Sequence, residues 1–279
     1  MKKIIAAFDG LRYSEATQEY TFYLAKLLQA HVVAVFLKER TRVGFSIYEA
    51  IETQSLTGRA IIDKLNKSDS ATSKKAVDSF RSASKKVGIT FTIHEDSRNP
   101  LQELIHESVF ADLIVIDADE TFSYMELGVP GNFLRHLLHS AQCPVIAVPK
   151  KFTPINEVTF LYDGSVSSVH AIRMFDYVFR DLKNLKTQLL FASSNHAVNR
   201  LPDNKLIREW MKRHYPNAAI TTVSAGKKKL ADSAEKFPAS SLIVMGAYER
   251  SHFSMWFHES AANEMIRKLK LPIFITHTH

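Results

Sequence analysis

Short apolar runs alternate along this chain with longer stretches whose apolar residues recur every three or four positions, the signature of buried strands separated by amphipathic helices. Residues 4–8 read as a strand, and residues 13–28 carry helical spacing at Ala16, Tyr20, Tyr23, Leu24 and Leu27. Residues 32–37 form a near-continuous apolar run, as expected of a strand covered on both faces. Residues 38–69 follow no period and are rich in Ser and Thr, which predicts an irregular segment. Residues 70–87 read as a helix stopped by Gly88, and 89–94 as a strand. Residues 100–110 form a helix with Asn99 as cap and Pro100 in the first turn. A strand at 113–116, a helix at 132–140 and a strand at 145–148 close this stretch. The same succession then returns. Strands are predicted at 158–162, 188–192, 219–223, 242–245 and 273–276, with helices at 166–182, 202–214, 228–237 and 259–269 between them.

The pattern is therefore written twice. Ile4-Ile5-Ala6-Ala7-Phe8-Asp9-Gly10 is answered by Val158-Thr159-Phe160-Leu161-Tyr162-Asp163-Gly164. The run Leu113-Ile114-Val115-Ile116 is answered by Leu242-Ile243-Val244-Met245, and Pro144-Val145-Ile146-Ala147-Val148 by Pro272-Ile273-Phe274-Ile275-Thr276. A period of this length is a domain, not a solenoid unit. Two domains are expected, residues 1–151 and 152–279, joined by a short linker around Lys150 to Pro154. Strands alternating with helices predict parallel sheets with helices on both faces, and right-handed crossovers give two doubly wound five-stranded α/β domains. The short linker and the matched closing strands predict that the halves pack about a pseudo-twofold axis.

Composition adds little to this and removes some functions. Of 279 residues, 46% are apolar and 23% charged, which is ordinary for a globular chain. No apolar run reaches the roughly 18–20 residues of a membrane span, and the first residues predict no secretory leader. A single cysteine, Cys143, excludes an intrachain disulfide and fits a reducing cytoplasm. Cys143 precedes Pro144 at a strand start and reads as a packing residue. The net charge of +7 sits in the second half, in clusters such as Lys227-Lys228-Lys229, without aromatic interleaving or a nucleic-acid motif. These clusters read as solvated helix faces.

In an open α/β sheet, ligands bind beyond the carboxyl ends of the strands where the strand order reverses. Asp9 and Asp163 hold that place after the first strand of each half, as ligand acceptors, as caps of the next helix, or as both. After the fourth strand come Asp117-Ala118-Asp119-Glu120 in one half and Gly246-Ala247-Tyr248-Glu249-Arg250 in the other. Neither segment is rich enough in glycine to cradle a phosphate, and Asp117, Asp119, Glu120, Glu249 and Glu259 would repel one. Asp117, Asp119 and Glu120 could instead hold Mg²⁺ or Ca²⁺, or simply be solvated. The terminal His277 and His279 read as a frayed end. Phe253, Met255, Trp256 and Phe257 form an aromatic loop, either a lid folded over the ligand position or a partner surface. No catalytic triad, Cys–His pair or helical metal-ligand spacing occurs.

These residues carry a family resemblance. The Asp-Gly after the first strand, the strand end Leu242-Ile243-Val244-Met245-Gly246-Ala247-Tyr248 and the closing Cys143-Pro144-Val145-Ile146-Ala147-Val148 resemble tandem universal stress proteins over nearly the whole chain. The resemblance implies a Rossmann-like fold of the adenine nucleotide alpha hydrolase type, a stress-associated role, and pairing of the halves through their last strands. Nucleotide-binding members carry Gly-x2-Gly-x9-Gly-Ser/Thr. Here that pattern falls on Gly246, Glu249, Glu259 and Ser260, and in the first half on Asp117, Glu120 and, with one residue inserted, Gly131 and Asn132. The family's adenosine contacts fall near Asp9 and Phe36, and near Asp163 and Ala192. A phosphate-loop glycine replaced by glutamate opposes a triphosphate by bulk and by charge. The expectation is a non-enzymatic cytoplasmic protein acting on an unknown protein partner, with degenerate nucleotide sites and no cofactor. The alternative is a sensor of ATP, AMP or another small molecule in one retained pocket. The absence of a base or a phosphate-binding lysine motif argues against a slow ATPase.

Overall fold

The computed structural model describes residues 1–37, 56–96, 99–120, 131–180, 185–193, 201–224, 237–246 and 259–276; residues 56–65, 96, 192–193, 223–224 and 259–262 are described by backbone alone. In the first half, strands β1 (Lys3–Asp9), β2 (His31–Leu37), β3 (Phe91–Asp96), β4 (Leu113–Asp117) and β5 (Val145–Val148) alternate with helices α1 (Glu15–Leu28), α2 (Leu56–Val87), α3 (Pro100–Ser108) and α4 (Asn132–Ser140). The second half supplies β6 (Glu157–Tyr162), α5 (Val166–Val178), β7 (Lys186–Ser193), α6 (Asn204–His214), β8 (Ala219–Ser224), β9 (Ser241–Gly246), α7 (Glu259–Lys268) and β10 (Ile273–Thr276).

All ten strands lie in one sheet of order β3-β2-β1-β4-β5-β10-β9-β6-β7-β8. The second five strands repeat the first five in reverse order, as a twofold operation requires. Within each half every pairing is parallel, and the halves meet at the antiparallel pair β5–β10, with Phe274 opposite Ile146. The apolar runs of the sequence become strands because both faces of the sheet are covered. Alternate residues of β1 divide between two cores: Ile4, Ala6 and Phe8 face α1 and α2, and Ile5 and Ala7 face α3 and α4. Each core runs on across the junction, Phe175 and Phe274 continuing the first and Ile273 and Met265 the second.

The linker is fastened to α1. The Phe152 ring packs on Tyr20 and Tyr23, with centroids 4.8 and 5.7 Å away. The Tyr23 hydroxyl donates to the Ile155 carbonyl at 3.1 Å, and the Thr153 N–H donates to the Tyr20 hydroxyl at 3.2 Å. Lys2 donates its ammonium to the carbonyls of Tyr177 and Val178, so the first half caps the carboxyl end of α5 in the second.

Several boundaries differ from the sequence expectation. Helix α2 begins at Leu56, so residues 56–69 continue a helix where an irregular segment was expected. Its buried stripe of Ala76, Val77 and Phe80 anchors the whole element, and packing overrides the weak propensity of its Ser and Thr. Strand β3 starts at Phe91 because Gly88, at φ +76°, and Ile89 close α2, the Ile89 N–H donating to the Ser84 carbonyl at 3.0 Å. Helix α5 stops at Val178, four residues early, with the Phe179 N–H bonded to the Phe175 carbonyl. The helix expected at 228–237 and the aromatic loop 253–257 fall almost wholly outside the described residues, as do Glu249, His277 and His279. Among the described residues no helix is long and apolar enough to cross a membrane.

Candidate functional site

The order of strands reverses between β1 and β4 in the first half and between β6 and β9 in the second, so the carboxyl ends of those strands frame the two candidate sites. In both, an aspartate closes a turn at the strand end, Asp9 as the last residue of β1 and Asp163 just after β6. Asp9 Oδ1 accepts the Leu11 N–H at 2.7 Å, and Asp163 Oδ1 accepts the Ser165 N–H at 2.8 Å. The helices that follow are capped alike, Ser14 and Ser165 each accepting an N–H in the first turn. The loops between differ. Five positions separate Asp9 from Ser14, and two separate Asp163 from Ser165.

The three extra residues of the first half do most of the chemistry there. Arg12 reaches Asp9 Oδ2 at 2.9 Å through Nε and Glu120 Oε1 at 3.2 Å through Nη2. Both carboxylates are buried, at 6% and 7% exposure. Ser14 donates its hydroxyl to Asp117 Oδ2 at 2.9 Å, and Asp117 Oδ1 accepts the Asp119 N–H at 2.9 Å. Lys150 pairs with Asp119 at 2.9 Å, which raises the lysine above its ordinary range, first through that hydrogen bond and then through the charge. These residues line an open cleft of about 350 Å³ over the mouth of β1 and β4. In this half, Asp117, Asp119 and Glu120, the carboxylates expected to repel a polyphosphate, are thus bonded to a cation, a hydroxyl or a backbone N–H of the chain itself. Among the described residues no group of three or more His, Cys, Asp or Glu is arranged for a metal.

Tyr13 also borders this cleft, and its side chain packs on the aromatic core. Its ring stacks on Phe8 at 5.1 Å and lies nearly parallel to Phe36 at 6.2 Å, and its hydroxyl donates to Gln18 Oε1 at 2.5 Å. Burial, helped by Glu15, holds the phenol protonated far above its ordinary range. Phe36 is fully buried between Phe8, Tyr13 and Phe80. Gly131 is the buried cap residue of α4, and Asn132 opens that helix with its side-chain oxygen accepting from Arg135.

In the second half, Gly246 ends β9 against the start of α5. A Cβ there would lie 2.3 Å from the Ser167 carbonyl oxygen and 2.4 Å from its carbon, so helix and strand approach too closely for any side chain. Gly164 sits at φ +85°, and a Cβ on it would meet Pro202 at 2.5 Å. Ala192 lies in β7 opposite Val223, and Ser260 is the second residue of α7. Sequence reasoning missed Arg12, Ser14 and Lys150; the unequal spacing from Asp-Gly to the capping serine was the available signal for the first two.

The model of the universal stress protein family matches residues 1–149, more than half of the chain. The chain belongs to the universal stress protein family. No curated protein matches its sequence. Among solved structures it is similar to a universal stress protein from Archaeoglobus fulgidus DSM 4304, at a TM-score of 0.69 and 16% identity over 99% of this chain and 96% of that one. A functionally unknown protein from Pseudomonas aeruginosa PAO1 aligns at TM-score 0.59 and 11% identity, covering 99% and 92%. The cytoplasmic domain of a prokaryotic cation chloride cotransporter aligns at 0.53 and 8%, covering 98% and 94%. At these identities the likeness is one of fold, and it extends over both halves of this universal stress protein.

Proposed function

We propose that this universal stress protein acts by binding a protein partner in the cytoplasm, without turnover and without holding ATP at either ancestral nucleotide position. The observation that supports this most is the network Arg12–Asp9, Arg12–Glu120, Lys150–Asp119 and Ser14–Asp117 across the mouth of β1 and β4. A triphosphate binds where backbone N–H groups and uncompensated cations converge. Here the cations are already matched by carboxylates, and a phosphate entering the cleft would meet Asp117, Asp119 and Glu120. In the second half the surviving motif residue Gly246 has a packing reason that needs no ligand. The domain unit for this function is the pair 1–151 and 152–279 acting as one body through β5–β10.

Titration calorimetry of ATP with Mg²⁺, and of AMP, into the full chain tests this. No saturable heat is expected at low millimolar ligand. Micromolar affinity for either nucleotide would refute the reading in favour of a nucleotide sensor.

A further inference from the structure

The two halves treat one region differently. In the first half, the last apolar side chain of β1 is Phe8, and the Tyr13 ring from the longer loop lies on it at 5.1 Å. Behind them, Phe22 of α1 packs on Phe80 of α2 at 5.5 Å. The region between strand end and helices is closed by aromatic rings of the chain. In the second half the position of Phe8 is held by Tyr162, and that of Phe22 by Arg173, counted from the capping serines Ser14 and Ser165. The loop is three residues shorter and brings no counterpart of Tyr13. A cavity of about 200 Å³ remains open there between α5 and α6.

The walls of this cavity are apolar. Tyr162 and Ile207 are buried at 2% and 5% exposure, Ile172 at 1%, and Val169 and Trp210 are half-buried. Trp210 is held by His214, stacked at 4.0 Å and 8°. The Tyr162 hydroxyl is occupied, donating to the Pro202 carbonyl at 3.0 Å. At the rim stand two opposite charges, Arg173 on α5 and Asp203 at the start of α6, both exposed. Among the described residues neither side chain makes a hydrogen bond or an ion pair, with the other or with a third group. Asp203 nevertheless acts on the cavity, since its charge is, after burial, the next cause that holds the Tyr162 phenol up at about 12. At about 30 Å³ per water-sized group, the cavity has room for about seven non-hydrogen atoms, a benzyl or phenol ring.

We infer that this cavity is a binding site for a free aromatic α-amino acid. The ring would enter between Ile172, Ile207 and Trp210, taking the place that Tyr13 fills in the first half. The carboxylate would face Arg173 and the ammonium Asp203, so that each unmatched rim charge gains its partner. At about 200 Å³ the cavity lies below the 300–1,000 Å³ typical of drug-sized sites and suits a ligand with one small ring. Asp163, Gly246 and Ser260 are not among its walls, so the site is separate from the ancestral nucleotide position and stands whether or not a nucleotide binds there.

The test uses the full chain with Trp256 replaced (W256F), so that Trp210 alone reports. L-phenylalanine and L-tyrosine are titrated, beside 2-phenylethylamine and 3-phenylpropanoate, each lacking one of the two charges. A saturable change of Trp210 emission is expected with the amino acids below about 1 mM. Each single-charge analogue should bind about tenfold or more weakly, the loss of one charge-assisted contact. R173Q should bring phenylalanine down to the level of phenylethylamine, and D203N down to that of phenylpropanoate. Asn tolerates the left-handed backbone of position 203, at φ +43°, and both positions are exposed, so the variants should fold; far-UV circular dichroism checks this. Absence of saturation at 10 mM, as about a tenfold margin, would overturn the inference. So would equal affinity for the analogues, or an affinity for phenylalanine that neither substitution changes.

Discussion

Replacing Gly246 with alanine separates the two reasons for which a motif glycine can persist. The added Cβ would stand 2.3 Å from the Ser167 carbonyl oxygen, 2.4 Å from its carbonyl carbon and 2.4 Å from its hydroxyl oxygen. Ordinary contact begins near 3.4 Å, so about 1 Å must be opened between β9 and α5. Both are fixed elements: β9 is buried throughout and paired on both sides, and Ser167 and Ser168 of α5 are wholly buried. Overpacking of a close-packed interior costs about 1–3 kcal/mol, and a backbone obstacle belongs at the upper end, about 3 kcal/mol. Urea unfolding should show a lower midpoint with an unchanged slope, and the melting temperature should fall by roughly 6–10 °C. Adding S167G removes only the hydroxyl contact and should restore a minor share, because the carbonyl remains. Gly88→Ala is the control: no atom lies within 4 Å of its Cβ, so only the positive φ acts, at about 1–2 kcal/mol. A G246A protein within about 0.5 kcal/mol of wild type, or full rescue by S167G, would refute the packing argument. The glycine would then owe its place to a ligand.

Arg12→Ala should destabilise the protein by roughly 1–2 kcal/mol, because Asp9 and Glu120 lose their cation while buried, tempered by the half-exposed guanidinium. Adding E120Q should recover part of the loss in denaturant unfolding; an additive further loss would contradict the coupling. The Cys143 thiol is pushed up to about 12 from an ordinary value of 9.0, first by burial and then by Asp112, with Lys3 opposing. The unfolded chain therefore releases this proton near pH 9 while the folded one keeps it, so stability is fully present below pH 9 and falls as pH rises through 9–12, at about 1.4 kcal/mol per unit. C143A should remove the part of this loss that begins near pH 9, leaving the shares of the buried phenols Tyr13, Tyr20, Tyr23, Tyr162 and Tyr215, which begin near pH 10, and native Cys143 should resist iodoacetamide at pH 8; rapid labelling there would refute the assignment.

The inner strands were legible because they are buried on two faces, which leaves a run of apolar residues that helices do not imitate at that length, whereas the edge strands β3 and β8, exposed on one face, mix polar with apolar residues. The repeat made the mirrored order legible too, since a twofold relation between halves ending in matched strands brings β5 beside β10. Helix α2 was shortened in the reading because its first turns carry Thr57, Gly58 and mixed charges with no clear apolar period, and nothing local says that Phe80 and Val77 hold a longer rod. The candidate site was legible only where it is local. Asp9 and Asp163 announce their turns through the glycine that follows, and Asp117 and Glu120 show their charge. Lys150 is invisible from the sequence, because its partner Asp119 lies on another loop and only the parallel pairing of β4 with β5 brings the two together. Phe36 was expected near a ligand by resemblance to the family; that its ring would pack among Phe8, Tyr13 and Phe80 is not local information, because Phe80 comes from α2, far along the chain.

The junction β5–β10 also orders events in time. Val145–Val148 and Ile273–Thr276 are separated by 124 residues of chain. A ribosome adding about 5–20 residues per second needs roughly 6–25 s to cover that stretch. Throughout that interval β5, wholly buried in the finished protein, has one hydrogen-bonding edge without a partner. The nascent first half therefore waits in a state that a passing strand, or a second nascent copy, could complete in place of β10. The four-residue length of β5 limits that hazard, because so short an edge holds a foreign strand weakly. Its proper partner arrives on the same chain, at an effective concentration that no neighbour matches.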